Sequence, residues 1–365
     1  MSSSFDPTNV NLDNVDPADV ICYLNASGND YNGQLGARIS AIFVILVCST
    51  ATTFFPVVAQ RVPSLKIPVY VYLFARYFGT GVIIATAFVH LLDPAYSEIG
   101  PDTCVGMTGH WADYSWVPAI VLASIVVIFL MDFAAELYVE AKYGIVKQDD
   151  RGVIVQNVLH LHHGGHEHHL PSSTAKEANP LPSSDSQKAA WNAQEIDSAV
   201  AERSFRQQIA AFLILEFGVM FHSVIIGLNL GVVGDEFATL YPVLVFHQSF
   251  EGLGVGARMS TIPFRRNSWL PWLLCLAYGL TTPIAIAIGL GVRNTYNPNS
   301  NTANIVSGVL DSISAGILIY TGLVELLARD FLFDADRTKD RRRLAFMIGC
   351  VLLGAGLMAL LGKWA

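Results

Sequence analysis

The sequence predicts an all-α polytopic membrane protein with eight transmembrane helices, and three observations carry that prediction. The 365 residues are 52% hydrophobic and only 14% charged, with a mean hydropathy of +0.44. Apolar runs of about 20 residues, the length that crosses ~30 Å of hydrocarbon, recur through most of the chain. Polar residues collect in short loops and one long insertion, which argues against the two or three soluble domains this length would otherwise hold. The net charge of −8 belongs to the loops and argues against a nucleic-acid partner.

Residues 1–34 read as a polar extracellular tail. It carries Asp6, Asp13, Asp16, Asp19 and Asp30 without a Lys or Arg, and no cleavable signal peptide is visible in it. Asn25-Ala26-Ser27 fits a glycosylation acceptor at Asn25. Transmembrane helices 1–3 occupy 35–141, with spans at 35–60, 68–93 and 116–141. Residues 142–205 form a His-rich, largely disordered cytoplasmic loop. Helices 4–8 follow in 206–365, with spans at 206–231, 238–260, 268–292, 304–329 and 344–363.

Orientation follows from the basic residues. With the N-terminus outside, Arg61, Lys66, Lys142, Lys147, Arg265, Arg266, Arg337, Lys339 and Arg341 to Arg343 all face the cytoplasm. Only Arg38, Arg293 and Lys363 fall at the outer margin. An even number of spans then leaves both termini extracellular. Cys48, Cys275 and Cys350 fall in apolar spans as buried thiols. Cys22 and Cys104 fall outside, where a disulfide is allowed but not demanded by the sequence.

The chemistry concentrates in two lines that mirror each other, Phe221-His222-Ser223 to Gly231 and Phe246-His247-Gln248 to Gly256. Both share Phe, His, Gly, Leu and Gly at the same offsets. His222 and His247 are equally far from the midpoint of the segment joining the two runs, so antiparallel helices hold them at one depth. Glu251 is four residues after His247 and projects from the same helical face. Imidazole nitrogen and carboxylate oxygen suit borderline divalent ions such as Zn2+. A carboxylate at mid-membrane costs roughly 2.5–3.5 kcal/mol on insertion scales and persists only with a partner. Gly227 and Gly231, like Gly252 and Gly256, stand at the spacing that lets helices approach closely. That approach is expected to bring the two ligand helices together, although ordinary helix packing uses the same glycines.

Other polar groups are candidates for the route. His90 and Asp93, three apart at the end of the second span, suit an entrance, or pair with each other. Asp132, Glu136 and Glu140 repeat every fourth residue in the third span, and Asp132 and Glu136 suit an exit. Glu216, Asp311 and Glu325 are intramembrane acids with no partner identifiable from the sequence. The outer loop 94–115 carries Glu98, Asp102 and Asp113. Its charge attracts cations modestly and equally serves solubility. His160, His162, His163, His166, His168 and His169 bind divalent metal by composition, as a flexible capture or sensing element. Lys142, Lys147, Lys176 and Lys188 nearby are possible ubiquitin acceptors.

These motifs resemble the ZIP (Zrt/Irt-like protein) family of divalent metal transporters, in its fungal and plant plasma-membrane zinc branch. The most specific pieces are His222-Ser223-x-x-x-Gly227 and His247-Gln248-x-x-Glu251-Gly252. The resemblance implies a ZIP-type bundle of eight helices, zinc uptake into the cytosol, homodimers and an elevator-like motion of one helix group against another. Family members with two adjacent metal sites carry a bridging carboxylate at the position of Ile226, and further ligands at those of Ser223, Gln248 and Thr282. This sequence therefore resembles a one-metal version, with His222, His247 and Glu251 as main ligands and Ser223 and Gln248 as weaker neighbours. No cofactor is expected, with Zn2+ as substrate and Fe2+ as the competing one. No nucleotide-binding motif appears, so neither ATP coupling nor an enzyme is expected. Two readings from other classes stand beside this one. One is a membrane haem electron carrier with the two histidines as axial ligands. The other is a metal sensor that transports nothing.

Overall fold

The computed structural model describes residues 10, 15–25, 31–62, 67–143, 184–265, 267–333 and 338–364. Among the described residues there is no strand. The helices in chain order are α1 (Pro17–Asn25), α2 (Leu35–Arg61), α3 (Val69–Ile99), α4 (Trp116–Tyr143), α5 (Ser184–Val232), α6 (Phe237–Thr261), α7 (Leu270–Gly291), α8 (Asn301–Phe333) and α9 (Arg341–Leu361). Seven of them, α2 to α5 and α7 to α9, are long and apolar enough to cross a membrane. Helix α6 has 25 residues, about 37 Å at 1.5 Å per residue. His247, Gln248, Glu251 and Arg258 make it less apolar than its neighbours.

Helix boundaries follow local chemistry. The Ser300 hydroxyl accepts from the Ala303 amide at 3.2 Å at the start of α8, and the Asp340 carboxylate accepts from the Arg342 amide at 2.9 Å at the start of α9. Both satisfy donors that the first helical turn leaves unpaired. Pro271 opens α7 at a position where its missing N–H costs nothing. Helix α3 runs on to Ile99, past the expected end at residue 93, through a π-helical segment at Thr86–Leu92. Pro94 lies just after that segment, where the helical register has already changed.

The chain forms two compact units, one of Met1–Leu130 with Ile209–Ala365 and one of Met131–Gln208. The smaller holds the end of α4 and the start of α5. Helix α5 begins at Ser184, so residues 184–205, expected to be largely disordered, are helical. The histidine cluster His160 to His169 falls outside the described residues.

In the larger unit two apolar clusters frame the middle of the bundle. Ala41 and Ile45 of α2 meet Leu230, Leu244 and Ile286 from α5, α6 and α7. Tyr77, Phe78, Val82 and Ala85 of α3 meet Met347, Cys350, Val351 and Met358 of α9. Where α5 ends, the fully buried guanidinium of Arg38 reaches in from α2. It donates to the carbonyls of Leu230 at 3.0 Å, Gly231 at 3.3 Å and Val233. Its plane lies 4.5 Å from the Phe237 ring. A cation on the last free carbonyls of a helix satisfies them and complements the helix dipole. This contact also pins the turn between α5 and α6.

Cys22 and Cys104 form a disulfide, with Cα atoms 4.7 Å apart. It ties α1 to the segment between α3 and α4, and Asn25 closes α1. Cys22→Ser or Cys104→Ser should each expose one new thiol to a membrane-impermeant maleimide on intact cells. The unsubstituted protein should stay unlabelled at both positions, as judged by mass spectrometry of the corresponding peptides.

Candidate metal centre

His222 is carried by α5, and His247 and Glu251 by α6. At about 100° per residue, Glu251 lies about 40° around α6 from His247. The glycines lie elsewhere. Gly227 and Gly231 are about 140° and 180° from His222, and Gly252 and Gly256 the same from His247. In the fold each glycine edge meets a different helix. A Cβ at Gly227 would strike Ala285 and the Thr282 carbonyl of α7, and one at Gly231 the backbone of Gly289. A Cβ at Gly252 or Gly256 would strike Thr53 of α2. The expectation that these glycines draw α5 and α6 together is thus corrected. They seat each helix against α2 or α7, which turns the opposite, ligand-bearing faces toward each other.

His222 Nε2 is 3.4 Å from His247 Nε2, and His247 Nε2 is 3.4 Å from Glu251 Oε1. A tetrahedral Zn2+ with bonds near 2.0–2.1 Å has ligand atoms separated by about 3.3–3.4 Å. Two edges of such a polyhedron are therefore already in place. The three residues could hold a metal ion, since each offers one ligand atom and these atoms all lie within 4.8 Å of one another. Each is at most 2% exposed. Neither Glu251 oxygen has a hydrogen-bond partner, nor has His222 Nδ1. Buried polar atoms are normally paired, so a carboxylate left bare beside two imidazoles is a place for a cation. Two imidazole nitrogens this close also leave no room for a macrocycle between them, which disfavours the haem arrangement.

The surrounding residues divide by what they touch. Gln248 donates to Ser223 Oγ at 3.4 Å, and Tyr278 donates to the Gln248 carbonyl and its Oε1, both at 3.0 Å. Ser223 and Gln248 are thus engaged with each other, and Tyr278, not anticipated from the sequence, fixes their orientation. His90 and Asp93, the pair suited to an entrance, line one cavity, with His90 the deeper of the two. It is buried in the π-helical segment of α3, with Nε2 3.0 Å from the Met358 carbonyl. Its ring stands perpendicular to that of His247 at 4.7 Å. Asp93 is exposed. Asp132 and Glu136 lie on α4 within the unit Met131–Gln208.

A cavity of about 350 Å3 is lined by His222, His247, His90, Asp93, Glu98, Asp311, Ile226, Asn229 and Leu240, among others. Asn229 and Leu240 also line a wider opening of about 670 Å3 with Asn32, Asp235, Glu236 and Asn299. Glu98, expected in a loop, is instead on the last turn of α3 facing this cavity. Asp93-Pro94 reads as a helix end, and that hid the extra turn. On the other side of Glu251 the helices are in close contact. Gly254 packs against Gly79 of α3, backbone to backbone. Arg76 of α3 binds Asp330 of α8 at 2.7 Å, and Glu325 pairs with Arg329.

The packing makes a prediction about stability. Gly231→Leu and Gly256→Leu drive side chains into the backbones of α7 and α2, and each should cost about 1–3 kcal/mol. Gly349→Ala and Gly356→Ala on α9, where a Cβ meets nothing within 4 Å, should be neutral or stabilising by up to about 1 kcal/mol. Thermal-shift measurements on the detergent-purified protein would separate the two pairs.

The family model for the ZIP zinc transporters matches residues 35–362 of this chain. The zinc-regulated transporter 1 of Saccharomyces cerevisiae is 55% identical over 99% of the chain and 97% of its own length. A protein of the same name from Schizosaccharomyces pombe is 41% identical, covering 98% and 92%. Zinc transporter 9 of Oryza sativa is 33% identical, covering 95% and 94%. No solved structure matches the chain.

Proposed function

The chain belongs to the ZIP family of zinc transporters, and from that premise we propose that it takes up Zn2+ through one main site formed by His222, His247 and Glu251. The observation that carries this reading is the pair of 3.4 Å ligand separations beside a cavity lined by both histidines, which shares Asn229 and Leu240 with a second cavity. The ion sheds part of its hydration shell as it reaches the two imidazoles. Glu251, bare of hydrogen bonds, supplies the charge that offsets this loss. Three ligands rather than four or more keep the ion exchangeable, and exchange is what transport requires. Ser223 and Gln248, held by Tyr278, shape the wall beside the ion.

In this reading α6 is the eighth span, both termini lie outside, and the cavity opens outward. The support is the Cys22–Cys104 disulfide, since such bonds persist in oxidising compartments, together with the distribution of Lys and Arg. Asn25 then lies on the glycosylated side. The opposite end is held shut by the Arg76–Asp330 pair between α3 and α8 and by the Gly79–Gly254 contact between α3 and α6. Release requires these to part, in keeping with motion of one helix group against another. Plasma-membrane location and a homodimer rest on the sequence resemblance, while an exit past Asp132 and Glu136 rests on their helical spacing, metal capture on the histidine content of the 142–205 loop, and ubiquitin attachment on its lysines.

Radiotracer uptake in cells lacking their own zinc importers tests the central claim. His247→Ala and Glu251→Ala should abolish Zn2+ uptake while surface expression, read by biotinylation, stays within about twofold of the parent protein. Full transport by either variant defeats the assignment, and a parallel measurement with Fe2+ ranks the two substrates. Removal of residues 160–169 should leave Zn2+ flux in proteoliposomes near that of the intact protein. A dead deletion variant in that purified system would place the histidine cluster in the transport core instead.

A further inference from the structure

The cavity contains a second group of ligand atoms that the main site does not use. Asp311 of α8 is 2% exposed and lines the cavity, and its Oδ1 has no hydrogen-bond partner. Glu98, on the last turn of α3, lines the same wall. Ser307 donates to its carboxylate, and Asp311 acts on it electrostatically, yet its Oε2 is buried without a partner. The two acids are brought together because α3 and α8 pack flush there. A Cβ on Gly308, one turn before Asp311, would strike Ile99, the neighbour of Glu98. Tyr296, in the loop beside them, has its phenol pushed up by burial first and by Glu98 second.

Among the described residues no Lys or Arg lines this cavity, so the buried Asp311 and the half-buried Glu98 share a wall without a Lys or Arg counter-charge. Such an arrangement is costly in an apolar setting unless a cation enters it. We propose that Glu98 and Asp311 form a second, all-oxygen binding station for a partly hydrated divalent cation, between the cavity mouth and the histidine site. Oxygen-only ligands favour hard ions and discriminate little among divalent metals. The station therefore concentrates divalent cations, and the two imidazoles farther in select among them. This inference rests on the transporter reading, and the tests below fail separately for each.

Free Mn2+, read by electron paramagnetic resonance, is titrated into the purified full-length protein carrying His247→Ala. The same titration is run with Asp311→Asn or Glu98→Gln added. The His247→Ala protein should keep a Mn2+ site that each added substitution weakens about tenfold or more. Equal binding by all three proteins overturns the proposal. In Zn2+ uptake, Asp311→Asn and Glu98→Gln alone should raise KM about tenfold with kcat changed by less than about twofold. An unchanged KM in both variants overturns the station and leaves the main site standing. Absence of uptake by the parent protein overturns the transporter reading, whatever the Mn2+ titration shows. If Asp311→Asn does not elute as a folded species, Glu98→Gln decides the outcome.

Discussion

Glu251 is the group the rest of the bundle has to accommodate. A carboxylate held inside a membrane protein with neither oxygen hydrogen-bonded is tolerable only if something positive comes to it. Hydrophobic packing places it there, with His247 and the Thr86 hydroxyl beside it. The two imidazoles at matching depth turn that liability into a set of ligand atoms of defined spacing, with separations of 3.4 Å between His222 and His247 and between His247 and Glu251. Stability and function therefore pull against each other at one point, and the apolar clusters on α2, α3 and α9 supply the compensating contacts.

What aims the ligand faces is the opposite edge of each helix. Small residues let α5 lie on α7 and α6 lie on α2 at backbone distance. A helix fixed along one edge has little freedom to rotate, so its far edge is fixed as well. Arg38 adds a third restraint by holding the carbonyl end of α5 to α2. The histidines need few contacts of their own, because their direction is inherited from packing half a turn away.

Much of this was legible in the residues. The paired histidine lines and Glu251 marked out the three potential ligands that the fold brings together, because helical periodicity is a strong signal where apolar runs are long. The same arithmetic, applied to the glycines, shows that they cannot face the partner ligand helix. Spacing between small residues alone does not say which neighbour they meet. Three features were hidden for definite reasons. The extra turn carrying Glu98 lies behind Asp93-Pro94, a pair that reads as a stop. The depth of His90 depends on a π-helical segment that no residue pattern announces. The meeting of Glu98 with Asp311 depends on which helices are neighbours, and local sequence does not encode adjacency.

The π-helical segment at Thr86–Leu92 has a wider effect than the placement of one imidazole. Before it, α3 is packed on α6 and α9, through Gly79, Gly81 and Phe78. After it, Ala95 and Ile99 pack with Ile305 and Val309 of α8. A regular helix presents one continuous stripe along its length. Here the wide turn resets the phase, so a single rod behaves as two short ones with independent azimuths. Winding the same seven residues as an ordinary α-helix would swing the whole downstream half by roughly a quarter of a revolution. The rotation would carry Glu98 off the cavity wall while leaving every upstream contact untouched.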